Sequence, residues 1–260
     1  MPVYPKKYLG QHFLKDKSIA IRIVQAFTLE KDVKKILEIG PGTGILTDLL
    51  IDIYGMNLLM IDLDHESIRY LRNKYTQVKD NIIHGDFLQM DLDTAGKGKI
   101  GIIGNFPYNI SSQIFFKILE NRDKVSNVVC MVQKEVGERI SANSGNKTYG
   151  ILSVLLSAYY TIEYLFTVES EVFHPPPKVR SAVLRLTRNN TAKLACNEDL
   201  FVKIVKNGFQ NRRKTLRNAL KALNLPDEIR KIEVMDSRAE QLSVEDFVDL
   251  TLKIELIWKK

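Results

Sequence analysis

Four consecutive residues, Asn105-Phe106-Pro107-Tyr108, follow the apolar run Ile100 to Gly104 and carry the most specific chemistry in the chain. An aromatic amine such as adenine N6 is a poor nucleophile, because its lone pair is delocalised into the ring. Attack on a methyl sulfonium needs that lone pair released, and two acceptors for the amine hydrogens release it. The amide oxygen of Asn105 and the backbone carbonyl of Pro107 are two such acceptors. Proline pushes the residue before it toward extended geometry, which stiffens the loop. Tyr108 offers a ring for stacking a base, an interaction of roughly 1–3 kcal/mol per base. The plainer alternative is a loop with a buried tyrosine. The position after a strand in a cofactor-binding sheet weighs against it.

A second constellation precedes this loop. Glu38-Ile39-Gly40-Pro41-Gly42-Thr43-Gly44 follows a strand-like run and opens a helical one. Gly40 and Gly42 let the backbone turn tightly and approach a ligand with no Cβ in the way. Asp62 ends the next apolar run, where βαβ folds place an acid for a ribose hydroxyl pair. The third glycine comes one residue early for a dinucleotide fingerprint, and Pro41 stands between the first two. Loop and acid together therefore favour a nucleoside-containing cofactor over NAD. Asp86, in His84-Gly85-Asp86-Phe87, ends the third strand and can accept from an adenine amine. It can equally cap a turn.

These groups need a scaffold that brings strand ends together. Strand-like runs at Ile36–Ile39, Leu58–Ile61, Ile82–Ile83, Ile100–Ile103 and Val128–Val132 are interleaved with helical patterns at 45–53 and 65–75. Such alternation implies βαβ units and a mainly parallel sheet. After Tyr149 the pattern changes to an apolar helix, 151–158, and two strands, 159–168 and 179–187, separated by Pro175-Pro176-Pro177. Strands without an intervening helix can pair antiparallel. The expected fold is α/β: a Rossmann-like sheet, parallel with an antiparallel final strand, which by fold analogy alone suits an S-adenosylmethionine-dependent methyltransferase sheet better than a dehydrogenase one, plus a small C-terminal all-helical domain. The expected division is 1–188 for the Rossmann-like domain and 192–260 for the helical one, with the polar Arg188-Asn189-Asn190-Thr191 as linker.

The helical part reads as one long helix over 201–223, with Val205, Phe209, Leu216 and Leu220 on its apolar face. Between Phe201 and Pro226 the chain has seven basic residues and no acid. Lys206, Arg213, Arg217 and Lys221 then form a stripe beside that face, with Arg212 and Lys214 adjoining. Such a stripe suits phosphate contacts, so these six are the candidate RNA-binding residues. A plain solvated face is the alternative. The net charge of +7 tips the balance toward a polyanionic partner. Ser243-x-x-Asp246 reads as a capping box, with Leu242 and Phe247 as its hydrophobic staple.

The two cysteines, Cys130 and Cys196, make no disulfide framework, and no CxxC exists for zinc. No metal is expected. The stretch from Met1 to Lys7 lacks an apolar leader core, and no apolar run reaches membrane-spanning length. A cytoplasmic protein without a membrane partner is expected. Nothing in the sequence calls for a dimer, so a monomer is expected.

Several motifs in order, covering Tyr8 to about Leu250, resemble the ribosomal RNA adenine dimethyltransferases, the KsgA-type family. They are Gly10-Gln11-His12-Phe13-Leu14, the Glu38–Gly44 loop, Asn105-Phe106-Pro107-Tyr108-Asn109-Ile110-Ser111 and Gln133-Lys134-Glu135-Val136. Phe173-His174-Pro175-Pro176-Pro177-Lys178-Val179-x-Ser181-Ala182-Val183 and Arg212-Arg213-Lys214-Thr215-Leu216-Arg217-Asn218 complete the set. The resemblance implies S-adenosyl-L-methionine as cofactor. It implies direct methyl transfer, twice on each of two adjacent adenines, in the 3′-terminal hairpin loop of small-subunit ribosomal RNA within a pre-ribosomal subunit. It implies that His12 and Leu14 contact the cofactor and that Gly40 lies under its methionine part. Asp62 matches the ribose-binding acid, Asp86 the adenine-contacting acid, and Asn105 and Tyr108 the catalytic loop. Phe173 matches an aromatic that stacks the target adenine from the other side. The chain departs from the family at His12, where Asn is usual, at Asp62, where Glu is usual, and at Phe106, where Leu is usual. Three other readings compete: a large-subunit resistance methyltransferase, a DNA adenine methyltransferase, and a non-catalytic RNA-binding or assembly factor. Intact Gly40, Asp62, Asp86 and Asn105-x-Pro107-Tyr108 weigh against the latter.

Overall fold

A computed structural model describes residues 3–29 and 32–258. Met1 and Pro2, which open the stretch expected to carry no leader, lie outside the described residues, as does the C-terminal end of the expected helical domain at 259–260. In chain order the elements are β1 (Phe13–Leu14), α1 (Lys17–Gln25), β2 (Val33–Ile39), α2 (Ile45–Tyr54), β3 (Leu58–Asp62), α3 (His65–Lys74), β4 (Ile82–His84), β5 (Lys99–Asn105), α4 (Ser111–Glu120), β6 (Val125–Gln133) and α5 (Lys134–Ile140). Then follow α6 (Ile151–Ser157), β7 (Tyr160–Val168), β8 (Phe173–His174), β9 (Ser181–Arg188), α7 (Glu198–Gln210), α8 (Leu216–Ala219), α9 (Asp227–Arg230) and α10 (Val244–Trp258).

The main sheet has seven strands in the order β4-β3-β2-β5-β6-β9-β7. Strands β2 to β6 run parallel, and β9 runs antiparallel to β6 in register from Asn127↔Thr187 to Gln133↔Ser181. The expected antiparallel strand is therefore present, inserted between β6 and β7. Helices on both faces of a parallel sheet bury both sides of its strands. That is why β6 is buried along eight of its nine residues and reads as a continuous apolar run. The chain steps outward from β2 to β3 to β4, then returns to lay β5 on the other side of β2. This reversal opens a crevice at the carboxyl ends of β2 and β5, where ligands of open α/β sheets bind.

Two glycines show how tightly that switch point is built. A Cβ on Gly104 of β5 would lie 2.3 Å from the carbonyl oxygen of Ile39 on β2. A Cβ on Gly44, whose φ is +86°, would lie 2.4 Å from the Tyr75 hydroxyl. That hydroxyl donates to Gly44 O at 3.0 Å and also bonds Asp48 at 2.7 Å, clamping the start of α2 to the end of α3.

The chain divides into two compact units, residues 1–137 with 161–188, and residues 138–160 with 189–260. The division expected at 188–192 coincides with one boundary. The segment 138–160 groups with the C-terminal helices, because α6 is apolar on nearly every side and packs on α7. In the second unit, Tyr149, Phe209 and Phe247 form an aromatic row with centroid spacings of 5.9 and 6.2 Å. The capping box is formed: Ser243 Oγ accepts from Asp246 N–H at 3.1 Å, and the Asp246 carboxylate accepts from Ser243 N–H at 2.9 Å.

The single helix expected over 201–223 is broken. α7 stops at Gln210, Lys214 N–H turns back to Asn211 O at 2.7 Å, and α8 begins only at Leu216. Three successive cations, Arg212 to Lys214, repel one another in this turn, and the backbone finds partners outside any helix. Thr215 bridges Arg238, and Leu216 N–H bonds Ser237 O at 2.8 Å. Lys206, Arg213, Arg217 and Lys221 therefore do not share one helical stripe.

Gly104→Ala is expected to destabilise the protein by about 1–3 kcal/mol, the usual cost of overpacking where backbone must move. The urea unfolding midpoint measures it.

Candidate active site

The crevice holds an open cavity, with about 800 Å³ of empty space when its solvent-filled mouth is included. Its wall is drawn from four places: Leu9–Phe13, the loop after β2 (Gly40, Gly42), the ends of β3 and β4 (Asp62, Leu63, Gly85–Phe87), and Asn105–Ile110 after β5. The sheet thus gathers Gly40, Gly42, Asp62, Asp86, Asn105, Pro107, Tyr108 and His12 around one space. All eight were singled out from the sequence.

The glycine loop is held by the acid predicted to face the cofactor. Gly40 and Gly42 have φ of +65° and +56°, a region that disfavours side chains. Asp62 Oδ2 accepts Gly42 N–H at 3.2 Å, and Oδ1 accepts Asp64 N–H at 2.9 Å. Burial pushes the Asp62 carboxyl up to about 6, against these two bonds, which favour its charged form. Asp86 forms the turn cap and leaves its second oxygen without a partner. Its Oδ1 caps a turn by accepting Leu88 N–H at 2.8 Å, and its Oδ2 takes no hydrogen bond among the described residues.

Asn105 carries the sharpest feature. Its Nδ2 donates to the His12 carbonyl at 2.9 Å. A carbonyl only accepts, so the amide nitrogen must face it. Oδ1 is thereby turned away, buried and without a partner. Buried acceptors are nearly always paired, so an orphan on a cavity wall marks a ligand contact. Phe106 also lines the cavity although its side chain is buried against Phe115, so its backbone is what faces the space. The carbonyl of Phe106 takes no hydrogen bond among the described residues, whereas that of Pro107 accepts Ile110 N–H at 3.2 Å.

Tyr108 is fixed on two sides. Its ring stacks on His12, with centroids 5.4 Å apart and planes 29° apart. Its hydroxyl bonds Ser181 Oγ at 2.6 Å, and burial raises its pKa. His12 Nδ1 in turn donates to Pro175 O at 2.7 Å. Ser181 had no role from the sequence. Only the β6–β9 register brings it under Tyr108, and no local pattern announces that.

Two expected site residues lie elsewhere. Phe173 is fully buried and joins the apolar core. It pairs with Leu14 across the short β1–β8 ladder, while Phe13 and His174 alternate to the other side. In this conformation its ring is not available to a base, which corrects its expected stacking role. Leu14 is buried with it and borders a small depression beside Gly40 and Asn105 rather than the main cavity. No His/Cys/Asp/Glu group able to hold a metal occurs among the described residues, and no helix among them is long and apolar enough to cross a membrane.

Behind the loop, Glu38 is fully buried and accepts only from Thr47 Oγ1 at 2.7 Å. Burial, with Asp62 nearby, pushes its carboxyl up to about 8.

The model of the ribosomal RNA adenine dimethylase family matches residues 5–255. The chain is 55% identical to a ribosomal RNA small subunit methyltransferase A from Cytophaga hutchinsonii, over 96% of both chains. It is 54% identical to the protein of the same description from Flavobacterium johnsoniae, over 97% of both. Among solved structures, a dimethyladenosine transferase from Plasmodium falciparum superposes with a TM-score of 0.80 at 26% identity, covering 94% of this chain and 98% of that one.

A carboxyl whose pKa is raised on folding binds its proton more tightly in the folded state. Stability then falls as pH climbs from the unfolded value to the folded one. Unfolding midpoints are expected to decline from about pH 4 to pH 8, through both acids up to about pH 6 and through Glu38 alone above it. Glu38→Gln should flatten the decline between about pH 6 and 8 in a urea titration series.

Proposed function

The chain belongs to the ribosomal RNA adenine dimethylase family, and on that footing we propose that it dimethylates N6 of two adjacent adenines in the 3′-terminal hairpin of small-subunit ribosomal RNA. The methyl donor is S-adenosyl-L-methionine. In this reading the enzyme acts as a monomer in the cytoplasm, on a partly assembled small subunit. The observation that carries it is the orphaned Oδ1 of Asn105, the acceptor that an adenine amine needs.

The residues present fit the cofactor. Gly40 and Gly42 leave room for a close backbone approach, and no Cβ intrudes. Asp62 retains lone pairs for ribose hydroxyls, and Asp86 Oδ2 is free for an adenine amine. His12 reaches the same space, and Leu14 backs it from the neighbouring depression. When bound, the cofactor supplies a methyl group on a positively charged sulfur.

The protein's part is to prepare the amine. Asn105 Oδ1 accepts one N6 hydrogen, and the free carbonyl of Phe106 accepts the second. Phe106 thus replaces Pro107 as the better second acceptor, since the Pro107 carbonyl already holds Ile110 N–H. Two such bonds draw the lone pair out of conjugation toward tetrahedral geometry, and they strengthen as charge develops on nitrogen. His12 covers one face of Tyr108, leaving the other for the flipped base. The hydroxyl bond to Ser181 stops that ring from swinging away.

Recognition of the RNA falls in this reading to the unit of residues 138–160 and 189–260. Its candidate contacts are Lys206, Arg212, Arg213, Lys214, Arg217 and Lys221. Arg217 is engaged by Asp236 at 2.6 and 3.0 Å, which offsets its charge.

Small ribosomal subunits from a strain lacking the modification, incubated with protein and labelled cofactor, should yield N6,N6-dimethyladenine at the 3′-end hairpin. Asn105→Ala should lower the rate roughly 10²–10³-fold, the usual effect of deleting one transition-state hydrogen bond. Label on the large subunit instead would favour the resistance-type reading.

A further inference from the structure

The break in the expected basic helix creates a different surface. The turn Asn211–Lys214 lies against the polar loop Asn143–Thr148, which is 63 residues or more away in sequence. Arg212 Nη2 donates to Asn146 O at 3.4 Å. Gly145 N–H donates to Glu240 O at 2.7 Å. The guanidinium of Arg212 faces Glu240 Oε2 at 3.9 Å, and that buried oxygen accepts no hydrogen bond. Glu240 therefore touches both loops: its backbone carbonyl accepts from Gly145, and its carboxylate sets a negative charge beside the Arg212 guanidinium.

This latch joins cations that the sequence keeps apart. Lys147 follows Asn146 directly, and Arg213 and Lys214 follow Arg212 directly. All three are exposed, and none has an ion pair among the described residues. Gly145, at φ +85°, gives the loop the turn that presents Lys147.

We propose that Lys147, Arg213 and Lys214 form one phosphate-binding edge for the ribosomal RNA backbone, assembled by the Arg212–Glu240 latch. Arg212 is on this account a positioning residue, and Lys147 is an RNA contact. The inference rests on the proposed RNA substrate. The partner is a phosphodiester backbone, since three point charges on two loops and no exposed aromatic between them read charge and spacing, not base identity.

Each phosphate contact releases about 0.7–0.9 counterion, so its loss lowers the salt slope of log K by that amount. The test is binding of unmodified small ribosomal subunits by full-length protein, at several salt concentrations. Lys147→Ala should lower the slope by about 0.7–0.9 and weaken binding roughly fivefold at 0.15 M salt. Glu240→Gln supplies a test by sign. It removes a negative charge, so electrostatics alone predicts tighter binding to RNA, whereas loss of the latch predicts weaker binding. The expected loss matches that of Lys147→Ala, and the double variant should lose little more. Melting temperature and cofactor binding identify a variant that has merely unfolded. An unchanged slope for Lys147→Ala, or Glu240→Gln binding at least as tightly as wild type, overturns the proposal. Failure of the wild-type protein to methylate the subunit would instead overturn the functional reading beneath it.

Discussion

The Asn105 side chain gives its N–H to the carbonyl of His12, a residue 93 positions away, and from that one bond the orientation of the reacting amide follows. Rotating the amide by half a turn would set two oxygens against each other and leave two N–H groups facing the cavity. Such a site would donate to an amine instead of accepting from it, and could not free its lone pair. The proposed reaction thus depends on a backbone carbonyl in the N-terminal segment, and on whatever holds that segment in place.

Several weak ties hold it, and they converge from separate elements. The Lys6 ammonium pairs with Asp64, which also caps α3 and accepts Ser67 Oγ at 2.8 Å. This pairing holds the Asp64 carboxyl below the usual carboxylate range despite its burial. Gln11 accepts Lys6 N–H at 2.8 Å, curling the segment on itself. Phe13 and Leu14 pair with His174 and Phe173, and Lys15 N–H reaches Val172 O at 2.8 Å. Gly42 leaves no slack either, since a Cβ there would lie 2.8 Å from the Phe13 ring. The segment, the glycine loop and the end of β3 must therefore be placed together. A change in any one would reach Asn105 through His12.

The βα alternation, the glycine loop and the Asn-Phe-Pro-Tyr loop were legible in sequence because each is local. Period-two and period-3.6 patterns need only neighbouring residues, and strand ends of one sheet face the same crevice by topology. The misplacements share one cause. Phe173 and Leu14 pair across a two-residue ladder, too short to leave a pattern. The helix expected through Arg212 was broken by Thr215 and Leu216 finding partners at Arg238 and Ser237, a long-range choice that helical spacing cannot register. Asp86 shows the converse: a carboxylate has two oxygens, so the turn cap on one leaves the other open and the two local readings do not exclude each other.

Local charge differs between the cavity, which presents Asp62 and Asp86, and the loops at 143–148 and 211–214, which present lysine and arginine. In the proposed reading the two acids face a cofactor whose reacting sulfur is positive, and the two loops face a polyanion. Neither set can select the target adenine alone. The cavity reads one flipped base, and any adenine offers the same amine to Asn105. Phosphate contacts read backbone shape, and they carry no base identity. In the proposed reading, selection combines an unstacked adenine at Tyr108 with phosphate contacts on the basic edge. A rigid spacing between cations is then worth more to specificity than their number, and a buried acid such as Glu240 serves RNA binding by fixing that spacing, although its own charge opposes the partner.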